Sequence, residues 1–202
     1  MKTLYCFVII FCSSLLSYAQ HNTLQLSKST IVPVIDGVII EEEWADAQKI
    51  QLQRTPEYEV GVLVKYDSQY IYVAFTNLSD PKMTRLNTDL LIQTIEAENE
   101  WDENCYWFHA SYSNCFSRGE YYNWEFCAEN PSGWKANTFP FKNGNNNIEF
   151  KISFSKLQLA LPTPGTKLRV AFKVSSVDEK HTYWPKEASI KSPDTWGTIT
   201  FN

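Results

Sequence analysis

Four of the seven tryptophans, Trp101, Trp107, Trp124 and Trp134, fall between residues 101 and 134, among Tyr106, Phe108, Tyr112, Phe116, Tyr121, Tyr122 and Phe126. Side chains of this type, when displayed, offer flat π-faces against which the C–H face of a sugar ring can stack. Polar neighbours such as Asn123 and Glu125 would then hydrogen-bond the hydroxyls, the usual mixture of apolar walls and few polar groups in a small-molecule site. Alternation along a strand turns Tyr106 and Phe108 one way and Cys105, Trp107 and His109 the other. One set is expected to fill a core and the other to be displayed, which makes Trp101, Trp107, Asn123, Glu125 and Trp134 the candidate ligand-binding residues. Plain core packing is the simpler fate of any one of these rings, because aromatics bury large areas.

Other chemistries find less support. The acidic groups Glu41-Glu42-Glu43 and Asp102-Glu103 have the residue type of a glycosidase pair, but such a pair also needs a fixed separation across a cleft. The run after Gly37 is better explained as negative charge at the start of a helical turn, where backbone N–H groups are unpaired. His21, His109 and His181 lack zinc-ligand spacing, and no phosphate loop, nucleophile elbow or H-E-x-x-H occurs. The chain carries 18 basic against 23 acidic side chains, a formal net charge of −5. Nucleic acid is therefore an unfavourable partner, since its binding needs clustered Lys and Arg.

Residues 1–19 read as a signal peptide. Lys2 gives a positive start, Leu4 to Leu16 is mostly apolar, and Ser17-Tyr18-Ala19 is a small-x-small cleavage site. Acylation of Cys12 is the weaker alternative, because Ile10-Phe11 is a poor lipobox. The product would be secreted, periplasmic or on the cell surface, and no later stretch is apolar for long enough to span a membrane. Residues 20–29 are expected to be a poorly ordered tail, and 30–202 a single domain. Without the leader, Cys105, Cys115 and Cys127 remain. A hairpin centred near residue 116 would set Cys105 opposite Cys127 as a disulfide and leave Cys115 free at the tip.

Strands must do the positioning. Val60 to Tyr66 and Tyr70 to Asn77 flank a turn at Asp67-Ser68-Gln69. Ile148, Phe150, Ile152 and Phe154 alternate with Glu149, Lys151 and Ser153, and Leu168, Val170, Phe172 and Val174 alternate in the same way. Helix is expected only at Glu41–Ala47, at Pro81–Ile92 and in a turn at Ser155–Leu159. Short strands at regular spacing without intervening helices predict an all-β, antiparallel, jelly-roll-like sandwich.

One motif goes further: Asp36-Gly37-Val38-Ile39-Ile40-Glu41-Glu42-Glu43-Trp44-Ala45-Asp46-Ala47. It resembles the opening signature, D-G-x-x-D-E-x-x-W-x-x-A, of family 9 carbohydrate-binding modules and their DOMON-like relatives, with Ile40 where Asp is usual. The resemblance continues through Val62–Asp67, Tyr70–Phe75, Asp80-Pro81, Trp101, Glu149-Phe150-Lys151-Ile152 and the closing Trp196-Gly197. It implies a non-catalytic sugar-binding sandwich in which Trp101 is one of two tryptophans clamping a ring. At the second clamp position stands Ile190, Trp107 occupies the place of a hydroxyl-binding Glu, and Glu125 that of an Arg. Trp184 is the candidate replacement for the missing ring.

The resemblance also implies cofactors to test. Some relatives hold structural calcium, for which Asp36, Asp67 and Asp80 are the candidates at turns. Others hold haem, for which only Met83 and His181 are available. A glycan is the expected ligand and an exported glycan-degrading protein the expected partner. The alternatives are a protein-docking module, since Trp, Tyr and Arg also make interface hot spots, and an activity associated with glycoside hydrolysis.

Overall fold

The computed structural model describes residues 22–79, 86–94, 100–111, 114–119, 123–129, 131–137, 146–176 and 180–202. The segment 1–19 expected to be a leader, Cys12 within it, and His21, Asp80 and Met83 lie outside the described residues.

Two sheets face each other. One has five strands in the order β2 (Gln48–Thr55), β3 (Tyr58–Tyr66), β4 (Tyr70–Thr76), β10 (Ile148–Ser153) and β9 (Trp134–Ala136). The other runs β1 (Thr23–Leu26), β13 (Gly197–Phe201), β11 (Lys167–Ser175), β5 (Asn87–Gln93), β6 (Cys105–Ala110), β7 (Cys115–Arg118) and β8 (Trp124–Phe126), with β12 (His181–Trp184) also paired to β11. All neighbours are antiparallel except β1 and β13. The expected all-β sandwich is the fold observed. Its core is the alternate face of each strand: Val60, Val62 and Val64 meet Phe75, Phe150, Phe108 and Phe172 between the sheets.

The opening motif is tied to the far strand β10. Gly37 sits at φ +89°, and a Cβ there would come within 2.6 Å of the Asn137 side chain, so both conformation and space require glycine. Asp36 accepts the N–H of Val38 at 2.9 Å. The buried carboxylate of Glu149 accepts the N–H groups of Gly37 at 2.7 Å and Asp36 at 3.1 Å. The helix α1 (Glu41–Trp44) follows, and Trp44 packs with Ile35, Ala47, Tyr72 and Ala74 on the outer side of this sheet. The two pieces of sequence that the resemblance singles out, Asp36-Gly37 and Glu149, are thus a single contact. Gly197 has an equally firm reason: a Cβ would lie 2.6 Å from the Trp184 ring and 2.8 Å from the carbonyl of Asn22.

Three expectations are corrected. The tail at 20–29 contains β1, which pairs in parallel with β13 and buries Leu24 and Leu26; four residues suffice because a neighbouring strand satisfies their backbone groups. The helix expected at Pro81–Ile92 is, over its described part, the strand β5. Its apolar side chains Leu90, Leu91 and Ile92 are all buried, the pattern of a strand covered on both faces. The disulfide joins Cys115 to Cys127, with Cα atoms 5.5 Å apart, and Cys105 is a buried free thiol. The segment is a three-stranded meander rather than one hairpin. β6 pairs with β7 from Ala110 and Cys115 onward, and β7 then pairs with β8 through Phe116 and Phe126, which carries Cys127 to Cys115.

Candidate functional site

The outer face of the larger sheet carries two cross-strand rows. The register sets Ala171, Leu91, Trp107, Arg118 and Trp124 side by side, and Lys173, Asp89, His109, Phe116 and Phe126 in the adjoining row. Each row is one face of consecutive strands, so period-two alternation in β5, β6, β7 and β8 is enough to assemble it. The second row has a charged centre. Buried Asp89 meets Lys173 Nζ at 3.0 Å, His109 Nδ1 at 2.7 Å and the indole N–H of Trp107 at 2.8 Å. Burial acts to raise the Asp89 carboxyl, but the hydrogen bond and charge of His109 and the charge of Lys173 outweigh it and hold it below the usual carboxylate range.

Toward the outer edge both rows turn aromatic. Trp107 lies 5.6 Å from Phe116 and 6.4 Å from Trp124, and Phe116 stacks on His109 at 4.6 Å. Trp124 and Phe126 are 48% and 45% exposed. Toward the centre the first row is covered. Ala188 and Trp196, with Ile190 partly buried beside them, pack over Leu91, Cys105 and Ala171. That covering segment is pinned by the Trp196 indole N–H to the Ser189 carbonyl at 2.7 Å and by the Ser189 N–H to Thr195 Oγ1 at 2.9 Å.

Between the cover and the rows lies a cleft of about 880 Å³. Trp101, Trp107 and Arg118 line one side, Ile190, Lys191, Ser192 and Asp194 the other, with Glu100 beside Trp101. Trp101 and Trp107 are half-buried. Trp101 rests edge-on against Trp196 at 6.1 Å. The guanidinium of Arg118 sits 5.7 Å from the Trp101 ring and 5.5 Å from that of Trp124, bridging the cleft and the exposed aromatics.

Of the residues singled out in the sequence, the cleft gathers Trp101, Trp107 and Ile190. Four others are elsewhere. Trp134 is 5% exposed and packs edge-on against Phe108 inside the sandwich. Glu125 points to the opposite face of β8 from Trp124 and binds Lys156 Nζ at 2.7 Å and the Trp134 indole N–H at 3.1 Å. Burial acts to raise its carboxyl, yet the hydrogen bond and charge of Lys156 keep it low. Trp184 lies against Phe172 at 5.6 Å and over Gly197, a packing role rather than a replacement clamp. Asn123 is exposed at the turn before β8, where its carbonyl accepts the Gly119 N–H at 3.3 Å.

Sequence reasoning missed Arg118. It expected an arginine at position 125, which holds Glu, whereas Arg118 stands on the preceding strand opposite Trp107. The alternation that turned Trp107 outward would have found it had the β6–β7 turn been placed at 111–114. The cover segment at 188–194 had no sequence signal beyond Ile190.

Two of the acidic candidates, Asp102 and Glu43, are engaged locally. Asp102 accepts the Asn104 N–H at 2.8 Å and the Gln93 amide at 3.3 Å, and Glu43 accepts the Val34 N–H at 3.1 Å. Asp67, a calcium candidate, already accepts the N–H groups of Gln69 and Tyr70 and the Tyr72 hydroxyl. Among the described residues no three His, Cys, Asp or Glu side chains are grouped as metal ligands. His181, the haem candidate, is exposed and packs edge-on to Tyr183. Asp80 and Met83, the remaining candidates for calcium and haem, lie outside the described residues.

Comparison with solved structures bears on the architecture. A family 9 carbohydrate-binding module from Caldicellulosiruptor kristjanssonii, solved with cellotriose and with glucose, superposes with TM-score 0.58 at 14% identity. The match covers 89% of this chain and 93% or 95% of the module. The chain shares the fold of a family 9 carbohydrate-binding module. A candidate carbohydrate-binding protein from Bacteroides uniformis ATCC 8492 has the same fold at TM-score 0.54 and 10% identity, over 90% of this chain and 99% of the other. No family model and no curated protein matches the sequence. No helix among the described residues is long and apolar enough to cross a membrane.

Proposed function

We propose that this protein binds carbohydrate without catalysis, in the cleft between Trp101 and Ile190. The observation that carries the reading is positional. The tryptophan matched to a clamp residue and the isoleucine at the second clamp position, remote in sequence, line one cleft of about 880 Å³. The fold neighbours solved with cellotriose and glucose lend support. In this reading a sugar ring lies against Trp101, with Trp107 as a second apolar surface and Arg118, Ser192 and Asp194 within the lining to meet hydroxyls. Ile190 offers only aliphatic contact, so one stacking face does the work of two.

The protein is proposed to act outside the cytoplasm, exported through residues 1–19, in the breakdown of polysaccharide alongside a glycan-degrading partner. A disulfide between Cys115 and Cys127 suits an oxidising compartment. Isothermal titration of the chain without its leader against a glycan panel tests the reading. Saturable binding to at least one saccharide, weakened tenfold or more by Trp101→Ala, is expected. Absence of binding across the panel rejects it.

A second reading draws on Trp124 and Phe126, whose exposure beside the cleft suits docking to another exported protein. Co-purification of a stoichiometric protein partner that is lost in Trp124→Ser, without saccharide binding, would favour docking.

A further inference from the structure

Four charged side chains line the cleft, and they are not equivalent. Glu100, Lys191 and Asp194 are exposed, whereas Arg118 is half-buried. Exposed charges are screened by water and salt, while a charge set back among low-dielectric indole rings acts more strongly on a bound group. Arg118 is held between Trp101 and Trp124, with its guanidinium carbon 5.7 Å and 5.5 Å from the two rings. The neighbouring Trp107 offers the cleft no donor, because its indole N–H is bound to buried Asp89 in the adjoining row. The charged donor on the sheet side of the cleft is therefore a permanently protonated planar fork, whose geometry matches a pair of anionic oxygens.

We propose that the cleft prefers saccharides bearing an anionic oxygen pair, a uronate carboxylate or a sulfate ester, and that Arg118 sets that preference. This rests on the carbohydrate-binding reading above. At the exposed rim Glu100 and Asp194 more than offset Lys191, and water and salt screen all three, so the preference resides at Arg118.

Matched ligands test it: cellotriose, its C6-carboxylate counterpart and its 6-sulfate counterpart, titrated into the chain without its leader at low and high salt. At least one charged ligand is expected to bind about tenfold or more tighter than cellotriose, with an advantage that shrinks as salt rises. The carboxylate and sulfate arms identify which anion is read. R118Q is expected to bring the charged-to-neutral ratio close to one, and R118K to keep part of it, since the charge stays and the fork is lost. Should R118Q fail to fold, the wild-type ratio and its salt dependence still decide. Equal or tighter binding of cellotriose overturns the anionic preference and leaves the carbohydrate reading standing. A ratio that survives in R118Q overturns the role of Arg118. Failure of all three ligands overturns the preference, and failure of the wider glycan panel overturns both readings.

Discussion

Asp89 accepts the indole N–H of Trp107 at 2.8 Å from within the sheet. One strand supplies a buried carboxylate and the next an aromatic that faces the cleft, so a cleft ring is positioned by a group sealed from solvent. The same carboxylate balances Lys173 at 3.0 Å. Removing it would leave a buried ammonium without its counter-charge, the costly case for an interior ion pair.

Asp89→Asn is accordingly expected to destabilise the fold by on the order of 3 kcal/mol, read from the urea midpoint. Adding Lys173→Met should recover much of that loss, because an apolar side chain needs no partner. Trp107 fluorescence should change in the single variant even where it remains folded. A single variant as stable as wild type would disprove this account of the network.

The Glu149 clasp on the Asp36-Gly37 turn should make stability depend on pH. Burial pushes its carboxyl up to about 7 from the ordinary 4.5, against the opposing effect of the two backbone N–H groups. A folded-state value raised above the unfolded one contributes stability that is fully present below about 4.5 and lost as pH rises through about 7. The contribution is about 3 kcal/mol at its largest. Chemical denaturation from pH 5 to pH 8 should show wild type weakening more steeply than Glu149→Gln. Parallel pH profiles for the two proteins would rule out Glu149 as the titrating group.

Thiol chemistry separates the meander from the hairpin expected at first. Residues 20–202 carry three cysteines. One thiol should titrate in denaturant, and peptide mapping should join Cys115 to Cys127. Cys105 should resist alkylation in the native protein, because burial pushes its thiol up to about 12 and the reactive thiolate is absent at neutral pH. Reduction should cost up to about 3 kcal/mol, the loop-closure value for a short loop. A Cys105–Cys127 peptide in the map would contradict the β6–β7–β8 register.

The sequence by itself was sufficient for the sandwich. Alternation over Val60–Tyr66, Ile148–Ser153 and Leu168–Val174 reports a face buried against another sheet, and Asp67 and Gly37 mark turns whose chemistry is local. Resemblance rather than physics matched Trp101, Trp107 and Ile190 to pocket positions of the family, and these three residues line one cleft. Register was not legible, since a meander and a hairpin have the same alternation and differ only in where the chain reverses. That one difference moved the disulfide from Cys105 to Cys115 and set Arg118, not residue 125, beside Trp107. Burial was equally hidden: Trp134 and Trp124 are the same residue type on short strands, yet one closes the core against Phe108 and the other stands in solvent. Which tryptophan a ligand can reach depends on what the far sheet and the 188–196 segment cover. Those are contacts between residues distant in the chain, and only tertiary structure decides them.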